Sequence, residues 1–400
     1  MADTVFAFTS DLLDKGVDTA LDRTGAGGVT VAGVYHASRD VFPHHPTRRV
    51  QYLDGGVHYF QPSPEYYGEI KPVTAVAEDP FERIRAATAA RGAAFNAWLV
   101  YLHNDRIGFS QPEYAPRNVY GDPYRTDLCP ANPAVREYAV ALTRDVARYG
   151  CDLVLAESLH YHPLGHGNHH ERYLFALGPL AEFLLGLCFC SHCVLRAIED
   201  GIDVAGLVKA VRAITDQALS GEVPGPDGEV TLETVAGGEL PAFLDSRQRT
   251  VTSLVEEVRA ALDGSGTAFC FMDQAGAMKG YATGQPSGAL AADVAWQLGV
   301  DVAGVSAHAD AYQVLAYAQD PERIRADVAA YQERLASGVP LRCALRPTLP
   351  DCTSAENLAA KLDILDALGV GDRDFYHYGL LPLRNLEMLR GVLVSRMSSR

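Results

Sequence analysis

Asp152-Leu153-Val154-Leu155-Ala156, running into Glu157-Ser158, is a short apolar run closed by polar residues, and it follows an amphipathic helical pattern from Asn132 to Tyr149. A strand apolar at nearly every position is covered on both faces, the condition of parallel strands wrapped by helices. The unit recurs. Apolar, β-branched or aromatic runs stand at Thr4 to Phe8, Val29 to Tyr35, Phe95 to Leu102, Ala268 to Met272, Val302 to Ser306, Leu341 to Leu345 and Asp374 to Tyr378. Helical patterns stand at Asp79 to Arg91, Phe243 to Leu262, Gly288 to Leu298, Pro321 to Leu335, Ser354 to Leu368 and Leu383 to Ser395. Asp320-Pro321-Glu322 and Thr353-Ser354-Ala355-Glu356 carry helix-start signals. Strand and helix alternating eight times predict an α/β fold, a (β/α)8 TIM barrel spanning residues 1–400 as one domain.

In such a barrel the polar residues that close the strands share one rim, where the chemistry is placed. Ser10-Asp11, Tyr35-His36, His103-Asn104-Asp105, Glu157-Ser158, Asp273-Gln274, His308-Ala309-Asp310, Arg346 and His377-Tyr378 are the closing groups. All thirteen histidines lie at such an end or in the segment after one. About 110 residues separate the fourth run from the fifth, where a crossover needs about 25. The excess predicts a Cys/His-rich insertion, residues 158–242, forming a cap subdomain over the mouth.

Cys188-Phe189-Cys190-Ser191-His192-Cys193 within that insertion is a C-x-C-x-x-C array, and Cys129-Pro130 follows the third strand. Four thiolates arriving on one rim from neighbouring strands suit a closed tetrahedral zinc site, structural because no coordination position is left open. Cys151, Cys270 and Cys343 fall at or within strands and read as core; Cys352 lies too far round the rim.

Thirty-four basic against fifty acidic residues give a formal charge of -16, and 48% of the 400 residues are hydrophobic. Such a surface repels phosphate backbones and anionic lipid, which argues against nucleic-acid and membrane partners. No apolar run is long enough to cross a bilayer, and Met1-Ala2-Asp3-Thr4 has no basic segment of a secretion signal, so a cytoplasmic location is expected. Self-association is open.

The segment Cys129-Pro130-Ala131-Asn132-Pro133-Ala134-Val135-Arg136-Glu137, then Glu157, then Cys188 to Cys193, resembles in order the elements of zinc-containing TIM-barrel β-galactosidases and of related glycosidase-like barrels. The resemblance covers roughly residues 129–193. It implies glycoside hydrolysis, with Glu157 as acid/base and Cys129, Cys188, Cys190 and Cys193 as zinc ligands. Two positions depart from it: Ala156 precedes Glu157 where the family has Asn, and Arg346-Pro347-Thr348 replaces the family's nucleophilic glutamate.

Glycoside hydrolysis ordinarily takes two carboxyl groups. Asp273 and Asp310, closing the fifth and sixth runs, are the candidates to join Glu157, with Asp273 preferred as its neighbour. Tyr35, His36, His103, Asn104, His160, His162, His308, Arg346, His377 and Tyr378 are the candidate substrate-binding groups, with Trp98, Tyr101 and Tyr161 as further aromatic platforms. The run from His160 to Glu171 fits a polar substrate wall or a second metal. The reading is a glycoside hydrolase-like enzyme acting on a small glycoside or oligosaccharide. Its alternatives are a lyase, isomerase or epimerase using the histidine-rich rim, and a non-catalytic carbohydrate-binding barrel.

Overall fold

The computed structural model describes residues 3–165, 171–221, 228–280 and 282–398. Eight parallel strands, Thr4–Ala7, Gly28–Val34, Ala94–Val100, Leu153–Glu157, Ala268–Asp273, Ala311–Leu315, Leu341–Leu345 and Asp372–Phe375, pair in sequence order and close first against last. Helices occupy the intervals between strands, so the molecule is a (β/α)8 barrel. Nearly every strand residue is buried, as the continuous apolar runs require.

Alternation along each strand divides the apolar residues into two cores. Phe6, Ala32, Trp98, Leu155, Cys270, Met272 and Ala344 fill the barrel; Val5, Val31, Ala97, Val154, Phe269, Phe271 and Cys343 meet the helices. Full burial of one Val, Leu or Phe side chain contributes about 1.5–3 kcal/mol. The outer layer, which holds many more such residues, carries most of the hydrophobic stabilisation.

Helix starts follow their signals. Asn132, Asp320 and Ser354 accept from the amides of Ala134, Glu322 and Asn357, and Pro133 and Pro321 stand in the first turns. A helix that the periodicity did not reveal, Gly16–Thr24, links the first two strands; Gly25 at φ 72° ends it, its N–H donating to the Leu21 carbonyl.

One expectation is corrected here. Val302–Ser306 is a helix started by Asp301, whose side chain accepts from the Ala303 amide, and the sixth strand is Ala311–Leu315. A five-residue apolar run does not distinguish a buried helical turn from a strand, but Val302, Val305 and Ser306 are the buried positions, a spacing of three and four. His308 and Asp310 therefore precede the strand and lie at the end of the barrel where strands begin.

The lower barrel interior is polar. Arg342 donates to both carboxylate oxygens of Asp374 (2.9 and 3.1 Å), and Thr4 and Gln313 donate to the same group. Asn96 bonds Thr30, and Thr30 bonds Thr4. At the other end, a hairpin of Ser38–Val41 with Val50–Leu53 sends Phe42 and Leu53 into the barrel-side core beside Phe8. Between the fourth and fifth strands lie helices Pro179–Leu185, Ser191–Glu199, Val204–Leu219 and Leu240–Ala260.

Candidate active site and metal centre

Glu157 is the last residue of the fourth strand. Leu153 and Leu155 point into the barrel and Val154 and Ala156 away from it, so the alternation turns Glu157 inward. Its carboxylate is 9% exposed and fixed on both oxygens. Trp98 Nε1 donates to Oε2 (2.5 Å) and Gln274 Nε2 to Oε1 (2.9 Å). Ser158 Oγ donates to Gln274 Oε1 (3.0 Å), which sets the orientation of that amide.

Trp98 is central to the mouth. Its ring meets Phe6 (centroids 4.8 Å) and Tyr35 (4.6 Å), and the Tyr35 and Tyr376 hydroxyls are 3.0 Å apart. His377 lies 4.2 Å from the Phe8 ring and 6.3 Å from Trp98, 1% exposed, and neither ring nitrogen has a hydrogen-bond partner among the described residues. Burial pushes its pKa down to about 3, so the ring is neutral. A carboxyl group with aromatic walls and a neutral imidazole can transfer a proton and bind hydroxyl groups over an apolar ring face.

Asp273 does not join this group. Cys270 and Met272 face the barrel, so Asp273 falls on the outer side with Phe269 and Phe271. It is fully buried, accepting from Tyr312 Oη (2.6 Å) and the Ala275 amide (2.8 Å), and burial raises its pKa. Asp310 is at the far end of the barrel, where it accepts from the Phe269 amide (2.8 Å) and pairs with Arg259 (2.8 Å). His308, two residues earlier, is equally remote from Glu157. Arg346 has Asp351 as its ion partner (2.5 and 2.8 Å) and lies over the Tyr317 ring.

Other expected groups divide between mouth and framework. Tyr378 belongs to the outer core and its hydroxyl meets Arg23 (3.4 Å); the mouth tyrosine of this segment is Tyr376. Asn104 caps the helix Asp105–Ser110 through the Ile107 amide (3.1 Å). Tyr101 bonds Thr143 in the outer layer (2.8 Å). His36 stacks on Tyr35 (3.9 Å) and begins an arc of imidazoles, followed by His103 (5.3 Å), His162 (5.9 Å further) and His160 (5.0 Å further). Asp127, brought beside His103 by a β-bridge, approaches His162 Nδ1 to 2.9 Å. His166, His169 and His170 lie outside the described residues.

The sequence reading named Gln274 only as a rim-closing group, and it missed Tyr376, Asp127 and the role of Trp98 as a partner of Glu157. Trp98 and Tyr376 were recoverable, since each has the inward phase of its strand. Asp127 gave no signal.

Cys129, Cys188, Cys190 and Cys193 converge, their four sulfurs all within 4.8 Å of one another, and all are buried. Cys129 lies 3.4, 3.5 and 3.8 Å from the sulfurs of Cys190, Cys193 and Cys188. Four sulfurs at about 2.3 Å from a central ion would stand about 3.8 Å apart, so the cluster fits a tetrahedral metal ion. Local structure sets these positions. Cys190 is the N-cap of the helix Ser191–Glu199 and Cys193 is in its first turn. Arg136 ties down the Cys129 loop, donating to the Pro130 and Thr250 carbonyls and forking onto Glu257. The Arg117 amide (3.4 Å) and Tyr161 Oη (3.2 Å) reach the sulfurs of Cys188 and Cys193.

Strand order and closure define the class at the level of fold, a (β/α)8 barrel. No protein-family model and no curated protein matches the chain in sequence. Solved structures match in shape. α-L-Fucosidase isoenzyme 2 from Paenibacillus thiaminolyticus has a TM-score of 0.57 at 9% identity, covering 99% of this chain and 49% of that one. The catalytic domain of β-amylase from Paenibacillus polymyxa has 0.56 at 11%, covering 98% of each. β-Galactosidase from the psychrophilic Marinomonas ef1 has 0.53 at 11%, covering 100% and 60%. The chain thus spans about half of the fucosidase chain and 60% of the galactosidase chain. At these identities the likeness is one of fold. No helix among the described residues is long and apolar enough to cross a membrane.

Proposed function

We propose that this chain is a glycoside hydrolase-like enzyme acting on a small glycoside or oligosaccharide, with Glu157 as the proton-transferring residue. One observation carries the reading: an inward carboxyl at the end of the fourth strand, gripped by Trp98 and Gln274, with Tyr35 and His377 against the Trp98 ring and Tyr376 bonded to Tyr35. The solved barrels of similar shape, named as a fucosidase, an amylase and a galactosidase, support it at the level of fold. The four cysteines would hold zinc as a structural ion, because four thiolates leave no position for water or substrate. Residues 158–242 would act as the cap on the mouth.

Asp273 and Asp310 both lie away from Glu157, and this gives a second reading its own footing. The buried His162 imidazole, whose Nδ1 lies 2.9 Å from Asp127 Oδ1 where loops after the third and fourth strands meet, is a group of the kind that abstracts protons. It favours a lyase, isomerase or epimerase on a sugar-like substrate. A carbohydrate-binding barrel without turnover is the third.

The test is a panel of chromogenic glycosides with wild type and Glu157→Gln, with ligand binding followed by tryptophan fluorescence. The hydrolase reading expects release by wild type, loss of at least a hundredfold in kcat in the variant, and retained binding. Binding without release by the wild type would favour the non-hydrolytic readings. Equal turnover by the variant would remove Glu157 from the mechanism.

A further inference from the structure

A cavity of about 310 Å³ lies at the mouth end of the barrel, between the end of the first strand, the hairpin and the start of the helix Pro80–Ala90. Its walls are largely apolar, with Phe8, Ala32, Leu53 and Tyr59 among them. Two of its lining residues, Ser10 and Gln51, carry buried polar atoms, Oγ and Oε1, that have no hydrogen-bond partner among the described residues. The charged groups of the lining stand at the lip and are engaged elsewhere: Arg83 pairs with Asp14 (3.0 Å) and faces Glu78 (3.9 Å). Tyr59 spends its hydroxyl on the Asp54 carbonyl (3.1 Å).

Apolar walls with a few unsatisfied polar groups and no unpaired charge describe a small-molecule site rather than a packing defect, and the volume is at the lower end for such sites, about 300–1,000 Å³. We propose that this cavity binds a neutral molecule made of an apolar ring and one hydroxyl, the class of simple phenols. A hydroxyl is both donor and acceptor, so it can complete Ser10 Oγ and either orientation of the Gln51 amide, while the ring fills the space along Phe8, Leu53 and Ala32. A charged ligand would be desolvated there without a counter-ion. Phe8 forms the partition between cavity and mouth, since its ring also meets His377 (4.2 Å) and Tyr35 (5.3 Å). The site borders Glu157's compartment across Phe8, and neither Glu157 nor its partners Trp98 and Gln274 line it.

Calorimetric titration with phenol and with toluene, which has the ring without the hydroxyl, tests this. Wild type should bind phenol at least tenfold tighter than toluene. The Ser10→Ala/Gln51→Leu double variant should lose that preference while its melting temperature stays near the wild-type value, and Glu157→Gln should keep it. Phenol and toluene binding equally to wild type, a cavity that takes up neither and holds only water, or a preference that survives the double variant would each overturn the proposal. A preference abolished by Glu157→Gln would place the phenol in the mouth and overturn it as well. If the double variant unfolds, Gln51→Leu alone, on the hairpin, gives the same comparison.

Discussion

Burial moves Asp11 and His377 in opposite directions on the pH scale. Desolvation pushes the Asp11 carboxyl up to about 7, against the Phe8 amide that donates to it (3.0 Å) and the nearby Arg48. The folded state then keeps a proton that the unfolded chain gives up near 3.8, so the associated stability falls as pH rises from about 4 to 7 and is constant above. Asp11→Asn, which stays neutral, should gain on the wild type across that window, by roughly 2–4 kcal/mol at 1.4 kcal/mol per pH unit. His377 behaves conversely. With its pKa at about 3 in the fold, stability is lost as pH falls from 6.5 toward 3, and His377→Gln should flatten that loss. Denaturant titrations at intervals of half a pH unit measure both differences. Parallel profiles for variant and wild type would mean that the group concerned is wetted in the fold.

At the level of elements, the four-cysteine cluster joins three pieces of chain: the Cys129 loop, the turn bearing Cys188, and the helix Ser191–Glu199 that carries Cys193. Buried sulfurs less than 4 Å apart are compact because of what they would share, since thiols hydrogen-bond weakly and gain little from one another alone. Cys190→Ser should lower zinc from about one ion per chain to a small fraction, as measured by atomic absorption. It should also cost several kcal/mol of stability, because metal binding is then part of folding free energy. Absence of metal from a wild-type protein purified without chelator would refute the zinc assignment. Arg136, bonded to two carbonyls, the Ser253 hydroxyl and the Glu257 carboxylate, is the element-level brace of the same loop.

At the scale of the whole molecule, the barrel interior holds a buried ion pair. Arg342 and Asp374 are 2% and 1% exposed and bonded through both carboxylate oxygens, on the seventh and eighth strands that complete closure. Removing one partner strands the other in a medium that solvates it poorly, whereas replacing both with apolar residues does not. Asp374→Ala should therefore cost about 3–5 kcal/mol, and Arg342→Met combined with Asp374→Leu distinctly less. Urea unfolding of the two variants decides it; equal losses would show that the pair is reached by water in the fold. Apart from the four-cysteine cluster and Glu157, the mouth chemistry depends on similar long-range closure, since Trp98, Tyr35, Tyr376 and His377 come from three different strand ends.

Local pattern was enough for the barrel, for the inward phase of Glu157 and for the meeting of Cys129 with the C-x-C-x-x-C array, because strand alternation, helix caps and loop placement are set by near neighbours in the chain. It was not enough for Val302–Ser306, whose five residues suit a helix or a strand until the Asp301 cap and the burial of Val302 and Val305 choose. Asp273 shows the boundary best. The alternation that turns Glu157 inward turns Asp273 outward, but only the true end of the fifth strand and the Tyr312 hydroxyl beneath it reveal that. Arg346 meets Asp351 five residues on within one loop, whereas the approach of Asp127 to His162 was decided by tertiary structure alone, because it forms where loops from different strands come within about 3 Å, a distance that no local periodicity encodes.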